Sequence, residues 1–126
     1  MFDHLSLQCR DVRAAADFYQ AVLAPLGYRR VLDIGWGVGF GIAPRPTLFL
    51  GPLEFPDRHE PASQPPHIGF SAPDRASVDA FHQAAIDLGA EILHGPRLWH
   101  YYPDYYAAHV RDLDGLNIEA VSNVRG

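Results

Sequence analysis

The sequence predicts an α+β domain built from two βαβββ modules whose strands form an open, cupped mixed sheet with helices outside. Three observations predict it: an internal repeat, apolar/polar alternation at the start of each half, and helical periodicity directly after that alternation. The repeat carries the most weight, because self-similarity constrains architecture more than local propensity does. The stretch from His4 to Ala21 lies over the stretch from His67 to Ala84 at a constant offset of 63 in a chain of 126 residues. In that register His4 matches His67, Asp11 matches Asp74, Phe18 matches Phe81, and Gln20-Ala21 matches Gln83-Ala84. With one gap, Leu26-Gly27 falls on Leu88-Gly89. The offset is half the chain, so a single domain over residues 1–126 divides into one module of about 1–62 and another of about 63–126.

The elements follow in order. Leu5, Leu7 and Cys9 alternate with His4, Ser6 and Gln8, and Ile68, Phe70 and Ala72 alternate with His67, Gly69 and Ser71, the pattern of half-buried strands. Asp11 and Asp74 then stand where an N-cap carboxylate accepts bonds from the first free amides of a helix. Ala15, Phe18 and Val22, and in the second half Val78, Phe81, Ala85 and Leu88, recur every three to four residues as a sheet-packing stripe. Pro25, Gly27 and Gly89 supply the stops. Strands are predicted at 28–33, 36–42 and 47–50, then at 91–98, 105–110 and 116–121, with Asp112-Leu-Asp114-Gly115 as a turn. Residues 51–66, holding five of the eleven prolines, read as the connection between halves.

Composition narrows the function. With 48% hydrophobic residues the chain can bury a real core. Its 15 acidic against 10 basic residues leave no surplus cation to neutralise a phosphate backbone, which argues against nucleic acid. The longest apolar stretches, 35–43 and 47–51, fall far short of the roughly 20 residues that cross a bilayer, and the amino terminus lacks the basic and apolar regions of a signal peptide. Cys9 is the only cysteine, which excludes an internal disulfide and suits a reducing cytoplasm; on the apolar face of its strand it reads as core. A soluble cytoplasmic protein acting on a small molecule is the expectation.

Residues 35–41 alternate glycine with Trp36, Val38 and Phe40. Phosphate-binding turns need unequally spaced glycines between a strand and a helix, and no helix follows here. The pattern predicts a strand with one bare face, leaving room for a ligand or a neighbouring backbone.

The duplication turns two ordinary histidines into a pair. His4 and His67 occupy equivalent positions on the polar faces of the two opening strands, so a pseudo-two-fold axis would aim both at a shared concave surface. On the last strand, Glu119 lies opposite the face of Ile118 and Ala120, and a lone carboxylate there needs a partner. Two imidazoles and a carboxylate make a metal set that leaves positions open for water or substrate. His4, His67 and Glu119 are therefore the candidate ligands. The run Trp99-His100-Tyr101-Tyr102-Pro103-Asp104-Tyr105-Tyr106 covers the sheet mouth, with His100, Tyr105 and Tyr106 the candidates to hydrogen-bond substrate or move a proton. His59, His82, His94 and His109 have no symmetric partner and read as surface or structural.

The chain resembles the vicinal oxygen chelate superfamily, which includes glyoxalase I, extradiol dioxygenases, and fosfomycin and bleomycin resistance proteins. The resemblance spans essentially the whole chain. It is carried by Asp3-His4-Leu-Ser-Leu with Asp11-Val12 and Ala16-Asp-Phe18-Tyr19, by His67-Ile-Gly-Phe with Val78-Asp-Ala-Phe81, and by Asp112-Leu-Asp114-Gly115-Leu-Asn117-Ile118-Glu119. It implies paired modules around a divalent metal (Zn, Ni, Fe or Mn) held by His4, His67 and Glu119. Open sheet edges and a shallow cup predict a homodimer in which the second subunit covers exposed apolar surface, and the resemblance allows the metal site to lie within one chain or across two. Glyoxalase I adds a fourth ligand, usually Glu, on the last strand of the first module; here Leu48, Phe49 and Leu50 stand in that neighbourhood. A hydrocarbon can neither ligate nor accept a proton. The expected function is a metal-dependent lyase or isomerase of glyoxalase type, with an Fe(II) extradiol-type dioxygenase and a non-catalytic antibiotic- or metabolite-binding protein as alternatives.

Overall fold

Both helices start where an aspartate caps them. Asp11 Oδ1 accepts from the Ala14 amide at 3.0 Å, and Asp74 Oδ1 from the Ser77 amide at 2.8 Å and the Ser77 hydroxyl at 2.7 Å. Those Ser77 bonds hold the Asp74 carboxyl below the usual range. The computed structural model describes residues 2–53 and 66–126. The first half runs β1 (Leu5–Cys9), α1 (Val12–Leu23), a 3-10 turn (Ala24–Leu26), β2 (Arg29–Asp33), β3 (Val38–Gly41) and β4 (Leu48–Pro52). The second runs β5 (Ile68–Ser71), α2 (Arg75–Asp87), β6 (Ile92–Leu98), β7 (Tyr106–Arg111) and β8 (Asn117–Ser122). The βαβββ order therefore occurs twice, as the repeat predicts.

The strands form two separate four-stranded sheets of identical topology, β1-β4-β3-β2 and β5-β8-β7-β6. In each the first strand pairs in parallel with the last, and the remaining pairs are antiparallel. Alternation sends Leu7, Phe40 and Leu50 of one sheet, and Phe70, Val110 and Ile118 of the other, into one core with Phe18 and Leu23 of α1 and Val78 and Phe81 of α2. Cys9 belongs to that core; burial, with Asp114 and Asp112 nearby, pushes its thiol up to about 12, so it is no nucleophile. The opposite face of each sheet carries no helix. No helix among the described residues is long and apolar enough to cross a membrane.

Tyr19 ties the modules together. Its buried ring packs edge-on against Phe18 at 5.6 Å and Phe70 at 6.4 Å, and its hydroxyl donates to Asp112 Oδ2 at 2.6 Å. Asp112 Oδ1 accepts from the amides of Asp114 at 2.9 Å and Leu116 at 2.8 Å, so one carboxylate fixes both the β7–β8 turn and the docking of α1. Burial, then the nearby Asp112 carboxylate, pushes the Tyr19 phenol far up, so it stays a donor.

The glycine-rich segment differs from expectation in extent. Strand β3 begins at Val38, and Trp36 leaves the Val38/Phe40 face to pack edge-on against Phe49 at 5.7 Å. The bare face is taken by the chain itself. A Cβ on Gly39 would come within 2.7 Å of Pro46, one on Gly37 would meet the Phe49 ring, and one on Gly41 would collide with the Arg45 carbonyl. Close approach of the Phe49 ring, of Pro46 and, at Gly41, of the Arg45 backbone is thus the reason for these glycines. Of the predicted connection at 51–66, residues 54–65, with His59, lie outside the described residues.

Two stability effects are expected in urea denaturation. Tyr19→Phe strands the buried Asp112 oxygen and lowers stability by about 1–3 kcal/mol. Gly41→Ala lowers it by a similar ~1–3 kcal/mol through overpacking, whereas Gly89→Ala, with open space around it, costs about 1 kcal/mol through the strain of an L side chain at a φ of +74°.

Candidate metal centre

Register decides which side chains meet on the helix-free face of the second sheet. Gly69 of β5 stands opposite Glu119 of β8, Glu119 opposite His109 of β7, and His109 opposite His94 of β6, forming one row across the sheet. Gly69 leaves space beside the acid: a Cβ there would sit 3.4 Å from Glu119 Cγ. His67, two residues before Gly69, shares that face and reaches the same carboxylate.

Glu119 is 5% exposed and surrounded by donors. His67 Nε2 lies 2.6 Å from Glu119 Oε1, the Tyr105 hydroxyl donates to Oε2 at 2.8 Å, and His109 Nε2 lies 3.3 Å from Oε2. Burial alone would push the carboxyl up, but bonds from His109, His67 and Tyr105 outweigh it and hold Glu119 down to about 2. The group is an anion at neutral pH. Burial, then the bond to Glu119, pushes the Tyr105 phenol well above its usual range, so it keeps its proton.

The His67 contacts set its tautomer. Nδ1 lies 3.0 Å from the Asn117 carbonyl oxygen, which only accepts, so Nδ1 carries the hydrogen. In the neutral ring Nε2 is then a lone pair facing a carboxylate oxygen, and two acceptors in such contact require a proton or a cation between them. A carbonyl that orients a ring in this way is the outer-shell arrangement of metal-binding histidines.

His109, read from sequence as structural, stands inside this group. Its ring stacks on His67 at 5.7 Å and meets Trp99 at 4.9 Å and His94 at 5.5 Å edge-on. Its Nδ1 is buried without a hydrogen-bond partner among the described residues. Donor atoms of His67, His109 and Glu119 all lie within 4.8 Å of one another, a nitrogen and oxygen set that fits a divalent cation. The sequence contained the signal. A hairpin turning at Asp112–Gly115 pairs residues equidistant from Asp114, which puts 109 against 119.

The other candidates are placed elsewhere. His4 is exposed, with Nδ1 2.8 Å from Asp3 Oδ1, while Asp3 also pairs with Arg45; His4 is not in the group that His67 joins. Tyr106 faces the helix side, donating to Asp79 of α2 at 2.7 Å beneath the Arg75 guanidinium at 5.2 Å. Neighbours on a strand point to opposite faces, so only Tyr105 of the pair reaches Glu119. His100 is exposed in the connection before β7. In that segment Trp99 is pinned by its indole N–H on the Ala107 carbonyl at 3.2 Å, with the Arg97 guanidinium 3.7 Å above its ring.

A family model described as the Glyoxalase/Bleomycin resistance protein/Dioxygenase superfamily matches residues 1–120. The chain belongs to this superfamily. A glyoxalase/bleomycin resistance protein from Albidiferax ferrireducens T118 superimposes with a TM-score of 0.76 at 28% identity, covering 97% of this chain and 98% of that one. A lactoylglutathione lyase from Agrobacterium tumefaciens gives 0.68 at 25% identity, covering 97% of this chain and 92% of that one. TioX from Micromonospora sp. ML1, at 17% identity, TM-score 0.69 and coverage of 98% and 96%, shares the fold. A search of curated proteins found no match. Superfamily members of this fold typically use a metal, and the second module of this one carries a donor set to match.

The two tyrosines should separate in urea denaturation. Tyr105→Phe removes a donor from a buried carboxylate and should cost about 1.5–3 kcal/mol. Tyr106→Phe, whose partner Asp79 is exposed, should cost less.

Proposed function

We propose that this superfamily member is a metal-dependent enzyme of glyoxalase type, a lyase or isomerase acting on a small substrate with two adjacent oxygens. The observation that carries the reading is the buried Glu119 anion met by His67, whose Asn117 bond leaves Nε2 as a ligand atom, with the Tyr105 phenol alongside. A divalent cation there (zinc, nickel, iron or manganese) supplies Lewis acidity to polarise the substrate oxygens and stabilise developing negative charge. Tyr105, held protonated, is the donor to a substrate oxygen, and the exposed His100 is a further candidate to move a proton. The Tyr106 hydroxyl, engaged by Asp79, stays out of this chemistry.

The reading includes a homodimer, in which the partner covers the helix-free face of the first module and its exposed Phe2, Leu32 and Ile42. The reading also includes a cytoplasmic setting, where the lone Cys9 stays reduced. The His-His-Glu chemistry keeps Fe(II) dioxygen activation as the second reading.

Metal analysis, assay and light scattering test this together. One divalent ion per chain, turnover of a small dicarbonyl adduct with nickel or zinc, and a dimeric mass are expected. Glu119→Ala should lose the ion and drop turnover by more than about 100-fold, beyond the 10–100-fold of outer-shell losses. Iron-dependent oxygen consumption with a catechol would transfer the site to the second reading. Ligand binding without metal or turnover would make the protein a binding module.

A further inference from the structure

The duplication allows the two sheets to be read against each other, position by position. Ser6 repeats Gly69, and Ser6 stands opposite Phe49 as Gly69 stands opposite Glu119. Phe49 thus occupies the place of the acid in the first module. Gly39, opposite Phe49, takes the place of His109, and Leu32, opposite Gly39, takes that of His94. One row reads Ser-Phe-Gly-Leu and its counterpart Gly-Glu-His-His. The first module offers neither carboxylate nor imidazole from this row, whereas the second offers Glu119, His109 and His94.

We infer that His109 is a metal ligand that replaces the missing first-module carboxylate, so that His67, His109 and Glu119 hold the cation within one module of one chain. This rests on the metal-dependent reading above. Three observations carry it. The donor atoms of all three residues converge within 4.8 Å without any contribution from a second copy. The His109 side chain is only 9% exposed and its Nε2 lies 3.3 Å from Glu119 Oε2, while Nδ1 has no hydrogen-bond partner among the described residues; with the hydrogen on Nδ1, Nε2 presents a lone pair to a carboxylate. Two acceptors are seldom left facing each other in a buried site, and a cation between Nε2 and the carboxylate separates them. The ring is also preorganised, fixed by pairing of its strand on both sides and packed between His67, Trp99 and His94, with Trp99 itself pinned to Ala107. A ligand held this way loses little freedom on binding. His4 is then dispensable for loading the cation.

Chelator-treated full-length protein titrated with Co(II) tests the assignment, read by visible absorption and by equilibrium affinity, with circular dichroism reporting the fold of each variant. His109→Ala and His109→Gln should each weaken Co(II) binding by more than about tenfold, the lower bound for outer-shell losses, while His4→Ala leaves affinity unchanged. Because either His109 variant can disturb packing, Zn(II) is also added to wild-type protein labelled with ¹⁵N at histidine; one ring nitrogen of His109 should shift together with one of His67. A His67 shift with His109 unmoved overturns this inference and leaves the metal reading standing, as does undiminished affinity in folded His109 variants. Unmoved signals from both rings, with Glu119→Ala binding Co(II) as tightly as wild type, remove the metal reading itself.

Discussion

A carboxylate in the middle of a central strand is the constraint around which the second module is arranged. Unanswered, a buried anion would destabilise the fold by several kcal/mol. Glu119 is answered on three sides, and each answer comes from a different place in the chain: His67 from the residue before β5, Tyr105 from the residue before β7, and His109 from within β7. The parallel pairing of β5 with β8 and the antiparallel pairing of β7 with β8 are what bring them to one point. Site and topology are one fact here. A sheet without the parallel first-to-last pairing could not set a histidine from the module start beside a glutamate from its end.

The two modules use one backbone plan for different ends. In the first, the helix-free face is filled with matter: the Phe49 ring, Trp36 against it, and residues 45–46 folded over glycines that admit them. In the second, the same positions hold ionisable groups, with a glycine kept small beside the acid. Duplication accounts for the shared architecture, and divergence of a single row accounts for its carboxylate and imidazoles lying in the second module. Membership of a superfamily that spans lyases, dioxygenases and resistance proteins leaves the reaction to be settled by such local differences.

Much of this was legible in the sequence because it is local. Asp11 and Asp74 announce their helices, the 3–4-residue stripes announce what packs, and period-two alternation puts His67 and Glu119 on the helix-free face. What was not legible depends on register or on phase. His109 looked solitary because its partner is ten residues away across a turn, and only fixing the hairpin at Asp112–Gly115 reveals it. Tyr105 and Tyr106 looked interchangeable until the strand was anchored, after which one belongs to Glu119 and the other to Asp79. His4 shows the limit of symmetry arguments: it is equivalent to His67 in sequence and in position on its strand, yet its own neighbours are Asp3 and, through it, Arg45.

The phenol of Tyr19 has a reach beyond the core it fills. It is carried by the helix of the first module, and it grips the turn that sets β7 against β8 in the second. The first half is therefore a jig for the donor row of the second. Severing the chain between the halves, or grafting the second onto another scaffold, would leave that hairpin without its clamp, so the parts that duplication once made interchangeable have become mutually dependent.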